Sequence, residues 1–319
     1  MKETQVQKVH LDTDLGGDTD DLCALAMLLR WPNIRITGIT TNTENDAKRA
    51  GYTKYVLKLA ERRDVPVKAG ADVSGGYYRG KPGLPKEEDF WPEPIAPSPN
   101  PLDEALDLLK SSIEQEARVI GIGTFTNFRL LDQKYSGILN KAKLYLMGGY
   151  VYPVRDGFPQ WGNKMDWNIQ ADVNSAKYVL ENSSPTLIPL TVSVETAIRR
   201  SYLPALRASG KLGELLARQA EAHNREYNNE ERIGRTCSNL PADILNFQHD
   251  ALACAIALGW NDGVEIEELP LTFEVQESYL HERLAKFGKP TKVVKKIDGE
   301  KFSEFWFHLL TDRTLQTLP

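Results

Sequence analysis

Asp12, Asp14, Asp18, Asp20 and Asp21 fall within ten consecutive residues, separated only by Thr13, Leu15, Gly16, Gly17 and Thr19. Five carboxylates so close repel one another, and folding tolerates them only where positive charge, solvent or helix N-terminal N–H groups answer them. A hard divalent cation held by oxygen ligands is the simplest answer. Helix capping by Asp18 or Asp20 accounts for one or two of the acids. It does not account for Asp12 and Asp14, which precede the turn at the end of an apolar segment.

Two other loops with alternating acids need weighing. As an EF-hand loop starting at Asp12, the stretch has Gly17 in sixth place, but Cys23 stands twelfth, where a bidentate Glu is required. An aspartyl phosphatase opening matches Asp12-Thr-Asp14 locally. That Mg²⁺-dependent chemistry wants Thr or Val where Gly16 stands, and no clear downstream lysine and acidic pair completes it.

The elements around the acids read as strand, loop and helix. Val6–Leu11 is an apolar strand and Leu22–Leu29 a buried helix. Ile34–Thr40, Ala47–Arg63 and Val65–Ala69 continue the rhythm as strand, helix and strand, the pattern of a parallel α/β sheet. Ser74–Pro101, rich in Gly, Pro and aromatics, reads as a long loop, and 150–166 as a second irregular segment. Leu102–Glu114 reads as a helix, Arg118–Ile122 and Ala142–Met147 as strands, Ser175–Leu180 as a helix and Pro185–Val192 as a strand. Leu203–Asn228 carries one or two helices, Asp250–Leu258 is a compact apolar helix, and Val264–Val275 with Thr291–Lys296 add late strands.

No repeat or linker divides the chain, so residues 1–319 are expected to form one α/β domain, Rossmann-like, with a mixed, mostly parallel sheet flanked by helices. In such folds ligands bind at the C-terminal strand ends. The 44 acids against 39 bases, net charge −5, and the lack of a Lys/Arg stripe argue against a nucleic-acid partner. Without an export signal or a long apolar run, and with three scattered cysteines, a cytoplasmic protein with no membrane partner is expected.

Asp12-Thr-Asp14-Leu-Gly16 followed by Asp20-Asp21 resembles the DxDxGxDD opening of the inosine–uridine nucleoside hydrolase family, with two extra residues before the final pair. Further segments match in order. Gly38-Ile-Thr-Thr-Asn-Thr-Glu44-Asn45 resembles its GITTxxGN segment, with Glu44 where Gly is usual. Gly123-Thr-Phe-Thr126-Asn127 resembles its GPLTN turn, Met147-Gly148-Gly149 its MGG, Asp166-Trp-Asn168 its (E/D)xN, and His249-Asp250 its late HD pair.

The resemblance implies calcium-dependent hydrolysis of the N-glycosidic bond of ribonucleosides. It implies that Asp14, Asp21, Asp250 and the Thr126 carbonyl hold Ca²⁺, that Asp14 is the base activating water, and that His249 is a candidate acid for the leaving base. Asp20, Asn45, Asn163, Asp166, Asn168 and Asp250 would bind the small-molecule ribonucleoside. Trp161, Trp167, Phe247, Phe90 and Trp91 are candidates to stack on the nucleobase. Family members commonly form homodimers or homotetramers. The family's histidine-containing loop is replaced within Ser74–Pro101 by Tyr77-Tyr78 and Phe90-Trp91-Pro92, so base preference stays open, as does the role of Asp18. A riboside-binding protein without turnover is the non-enzymatic alternative.

Overall fold

The computed structural model describes residues 6–72 and 83–312; Tyr77 and Tyr78 lie outside them. Its first half alternates strands and helices: β1 Gln7–Thr13, α1 Asp20–Arg30, β2 Ile34–Thr41, α2 Lys48–Leu59, β3 Val67–Ala69, a short α3 Glu87–Phe90, α4 Leu102–Glu114 and β4 Arg118–Gly121. Then come α5 Thr126–Lys134, β5 Lys143–Met147, α6 Trp167–Gln170, α7 Val173–Asn182 and β6 Thr186–Ile188. The remainder comprises α8 Leu190–Ser193, β7 Ile198–Arg199, α9 Leu203–Ala208, α10 Lys211–Tyr227, β8 Ile244–Asn246, α11 His249–Leu258, β9 Glu265–Gln276, β10 Tyr279–Leu284, β11 Lys289–Lys296 and α12 Gly299–Thr311.

Nine strands form one sheet in the order β10-β9-β11-β6-β5-β4-β1-β2-β3. Strands β1 to β6 are parallel, β11 joins β6 in parallel, and β9 and β10 close that edge antiparallel. The expected mixed, mostly parallel sheet is therefore present. The strand order reverses between β1 and β4, and beyond their carboxyl ends opens the crevice where ligands bind in doubly wound sheets. Helices α1 and α11 pack together under that crevice, burying Leu22, Leu25, Leu252 and Ile256. Both begin where the sheet's ligand edge lies, so each points its first turn, with Asp20-Asp21 or His249-Asp250, into the crevice.

Some boundaries differ from the expectations, for local reasons. Asp46 and Ala47 take left-handed φ values of 52° and 60°, so α2 starts only at Lys48. Pro189 has no N–H to give a ladder, and β6 stops at Ile188, with α8 in place of the expected strand end at Val192. The described part of the segment taken as a loop holds α3, and Trp91 after it is buried, its ring stacked on Tyr52 at 4.3 Å.

Candidate active site

At the end of β1 the side chains alternate in function. Asp12 is fully buried and accepts hydrogen bonds from Thr40 Oγ1 at 2.5 Å, Asn42 Nδ2 at 2.6 Å and Asn127 Nδ2 at 2.7 Å. Burial pushes its carboxyl up to about 7 in spite of those three donors. Asp12 thus ties together the ends of β1 and β2 and the start of α5. Asp14, two residues on, projects from the same face but is only half-buried. Burial, set against the charge of Arg49, holds its carboxyl above the usual range.

The chain then turns through Gly16, whose φ of +115° and whose Cβ position, 2.3 Å from the Tyr52 ring, admit glycine alone. Gly123 is constrained similarly from the β4 side: a Cβ there would lie 2.6 Å from Asn42 Oδ1 and 2.9 Å from Asp14 Oδ1. Backbone at the end of β4 therefore approaches Asp14 closely.

Asp20, Asp21 and Asp250 are each buried, and a carboxylate oxygen from each lies within 4.8 Å of the others. Asp21 accepts the Thr13 hydroxyl. Burial, followed by mutual repulsion with Asp14 among the sources, raises all three well above the ordinary carboxylate range. Such a group is stable either protonated or around a cation. An all-oxygen, triply acidic donor set suits a hard cation of the calcium type and suits zinc or copper less well.

Thr126, the fourth expected ligand, opens α5; its hydroxyl donates to Asp172 Oδ2 at 2.6 Å and its neighbour Asn127 holds Asp12. Asp172 also caps α7, accepting from Ser175 N at 3.1 Å. The GTFTN turn is thus anchored from both sides.

The other candidates separate into two groups. Asn168 is buried, its amide nitrogen donating to the carbonyls of Ile122 at 3.1 Å and Met147 at 3.2 Å, which fixes it across the ends of β4 and β5. Asn45 lies half-buried on the loop leaving β2, its amide reaching the Thr43 carbonyl. Asp166 is spent on backbone: it accepts from Gly149 N at 2.5 Å and Ile169 N at 3.4 Å, capping α6, and burial moves it up to about 6. Asn163 turns to the sheet edge, donating to the Leu280 carbonyl at 3.1 Å and meeting His281 Nδ1 at 3.2 Å. Its role in this structure is to hold the 162–165 turn on β10.

His249 shares a hydrogen with Ser193 Oγ at 2.7 Å and stacks on Phe247 at 5.1 Å, while Trp161 meets Phe247 edge-on at 5.3 Å. Burial lowers the imidazole to about 4, so it is neutral near pH 7. A neutral imidazole can hydrogen-bond a leaving group but has no ready proton to deliver. Phe90, Trp91 and Phe247 are all core residues, Trp161 is partly buried and packs edge-on against Phe247 beside His249, and Trp167 is half-buried at the start of α6.

The sequence left the role of Asp18 open and did not single out His223 or Arg49. Asp18 accepts from Asn246 Nδ2 and Thr19 N and lies 3.4 Å from His223 Nε2; although burial opposes it, the His223 imidazole helps hold Asp18 below the usual carboxylate range. His223 comes from the middle of α10, and no motif marks it. Arg49 is buried to 1% exposure in the first turn of α2, its Nε donating to the Thr43 carbonyl at 2.9 Å and its Nη1 to the Asp14 carbonyl. A lone arginine among polar residues carries no signal in the sequence.

A separate cavity of about 670 Å³, bordered by Arg155, Glu195, Arg199 and the start of α12, touches none of the acidic residues. Its charged walls are already matched, Arg155 to Glu195 and Arg199 to Asp243. The chemistry belongs to the acidic crevice.

A doubly wound sheet with a buried, all-oxygen acidic cluster at its switch point defines an α/β protein of the class that carries its ligand site at the carboxyl ends of its strands. Residues 9–304 match the sequence profile of inosine-uridine preferring nucleoside hydrolases, and the chain belongs to that family. A pyrimidine-specific ribonucleoside hydrolase of Shewanella baltica is 27% identical over 62% of this chain, which spans 64% of that relative's length. One of Salmonella arizonae is 26% identical over 72% of this chain and 74% of its own. Among solved structures, the purine-preferring ribonucleoside hydrolase from Gardnerella vaginalis superposes with a TM-score of 0.75 at 19% identity, covering 96% of this chain and 98% of that one. A plant nucleoside hydrolase gives 0.73 at 18% identity, covering 96% and 99%. Those two likenesses speak for the fold.

Proposed function

We propose that this chain hydrolyses the N-glycosidic bond of ribonucleosides, releasing ribose and a free nucleobase, with Ca²⁺ as its cofactor. The observation that carries the reading is the convergence of Asp20, Asp21 and Asp250 beside Asp14 at the switch point of the sheet. Asp21, Asp250 and the Thr126 carbonyl, with Asp14, would hold the cation, and Asp20 stands close enough to share in that duty. When bound, Ca²⁺ supplies a positive centre that offsets the acids and orders oxygen ligands, sugar hydroxyls among them.

The residues themselves account for the rest. Asp14, half-buried and flanked by close backbone, accepts the proton of the attacking water as its oxygen bonds to the anomeric carbon and the C–N bond electrons leave with the base. The acidic surroundings favour the positive charge that builds on the sugar ring in an oxocarbenium-like transition state. Asn168 on α6, through its amide oxygen, and Asn45 on the loop after β2 would present polar groups to the ribose. Trp161 and Phe247 enclose the base, and the neutral His249 offers it a hydrogen bond.

The two bacterial sequence relatives act on pyrimidine ribonucleosides, so uridine and cytidine head the substrate panel, followed by inosine, adenosine and the 2′-deoxy compounds. The test is release of reducing sugar with Ca²⁺ and with EDTA. Riboside binding without release would turn the reading to a binding protein, and phosphate release from p-nitrophenyl phosphate with Mg²⁺ would turn it to a phosphatase.

A further inference from the structure

We infer that Asp18 is a specificity-determining residue for the leaving base, its carboxylate accepting a hydrogen bond from an exocyclic amino group, so that cytosine and adenine are preferred to the corresponding keto bases, uracil and hypoxanthine. The inference rests on the hydrolase reading and deepens it. Asp18 lies in the stretch that is two residues longer than the family's opening, so the resemblance gives it no role. Of the five acids between positions 12 and 21, Asp12, Asp20 and Asp21 are buried and Asp14 is half-buried, whereas the Asp18 side chain is 44% exposed. It takes no part in the cluster of Asp20, Asp21 and Asp250. Its carboxylate is nevertheless fixed: Asn246 Nδ2 and Thr19 N donate to Oδ1, the latter at 2.5 Å, and His223 Nε2 lies 3.4 Å from Oδ2. Asn246 Oδ1 in turn accepts from Phe247 N at 2.8 Å, and the Phe247 ring stacks on His249. One side chain therefore separates Asp18 from the group against which the base is placed on the proposed reading.

Helix α10, which packs on β8 and α1, brings a second polar group to this side. One turn before His223, Gln219 is buried to 2% exposure, and its Nε2 has no hydrogen-bond partner among the described residues. Polar side chains from three separate elements thus gather around a carboxylate that the proposed cation does not need. An ionised carboxylate accepts hydrogen bonds and never donates them. Open on one side, Asp18 has room for one more N–H; a keto oxygen brought to the same place would meet it lone pair to lone pair. Cytosine and uracil, like adenine and hypoxanthine, differ by this exchange of amino for keto at the ring edge. The anchoring is what makes the exchange matter. A free aspartate would swing away from a keto oxygen at little cost, whereas one held by Asn246, Thr19 and His223 has to break those contacts first.

The test is a pair of ratios, kcat/KM for cytidine over uridine and for adenosine over inosine, read in whichever pair is turned over. Wild type should favour the amino member by about tenfold or more, the worth of one charge-assisted hydrogen bond. Asp18→Asn should lower the ratio by about the same factor, because an amide can turn its NH₂ toward a keto oxygen. His223→Gln, which loosens the carboxylate, should move the ratio in the same direction by less. An Asp18 that served only the fold or the cation would slow both members of a pair alike and leave the ratio where it stood. That outcome, or a wild type that favours the keto member, would overturn the inference. If wild type cleaves no nucleoside, the hydrolase reading fails, and calorimetric titration with the same four nucleosides decides the role of Asp18 from the ratios of their affinities; binding of none of them would overturn this inference as well.

Discussion

Asp20 at the start of α1 and Asp250 at the start of α11 bring carboxylate oxygens within 4.8 Å of each other, both buried. Two ionised carboxylates that close and that buried repel each other unless a proton or a cation lies between them. On the proposed reading the cation takes that place, which sets the first expectation.

Asp250→Asn should abolish stabilisation by Ca²⁺ while leaving the metal-free protein as stable as wild type or more so by about 1 kcal/mol, since a buried like-charge pair is relieved. Thermal unfolding in EDTA and in millimolar CaCl₂ reads both effects. A variant that Ca²⁺ still stabilises to the wild-type extent would remove Asp250 from the ligand set.

Asp14→Asn should cut kcat by about 10² to 10⁴, the usual worth of a general base, with an unchanged circular dichroism spectrum. Near-normal turnover in a folded variant contradicts the assignment.

Asn168→Ala frees the Ile122 and Met147 carbonyls that its amide now bridges. Left without partners, they should cost about 1 to 3 kcal/mol in unfolding free energy. If Asn168 also grips ribose, kcat/KM falls beyond what the stability loss explains. An unchanged urea midpoint would show the bridge to be energetically idle.

His10, buried between Ser112 Oγ at 2.8 Å and Thr40 Oγ1 at 3.0 Å, is pushed down to about 3 by burial, from an ordinary 6.5. Below pH 6.5 the unfolded chain takes up a proton that the folded chain refuses, so stability is full above that pH and declines as pH falls toward 3. Urea midpoints between pH 8 and 4.5 should show this slope, and His10→Gln should flatten it by about one proton. Parallel slopes in the two proteins would assign the decline to other groups.

The sheet and the acidic opening were legible because both are local. The apolar strands at Val6–Leu11 and Ile34–Thr40, each followed by a helix pattern, announce parallel pairing, and the crowding of Asp12 to Asp21 announces a charge problem that folding must solve. The division of labour among those acids was not legible. Nothing in spacing says that Asp12 spends itself on Thr40, Asn42 and Asn127, that Asp18 reaches out to His223 and Asn246, or that Asp20 meets Asp250. Each depends on a neighbour far along the chain. Asp166 and Asn163 show the same limit, since a side chain in a matching position can be drawn off by the nearest backbone N–H or the edge of a strand. Helix α5 was missed because its run Thr126–Lys134 is polar and weakly patterned, and it is held by the anchoring of its first turn.

The three clustered acids arrive at opposite moments of synthesis, Asp20 and Asp21 near the beginning and Asp250 long after. A growing polypeptide on the ribosome therefore cannot assemble the cluster until the parallel strands β1 to β6 have been made, because contacts so distant in sequence close late. On the proposed reading, cation capture can only follow the making of that parallel core, so a chain released before α11 would carry no competent catalyst.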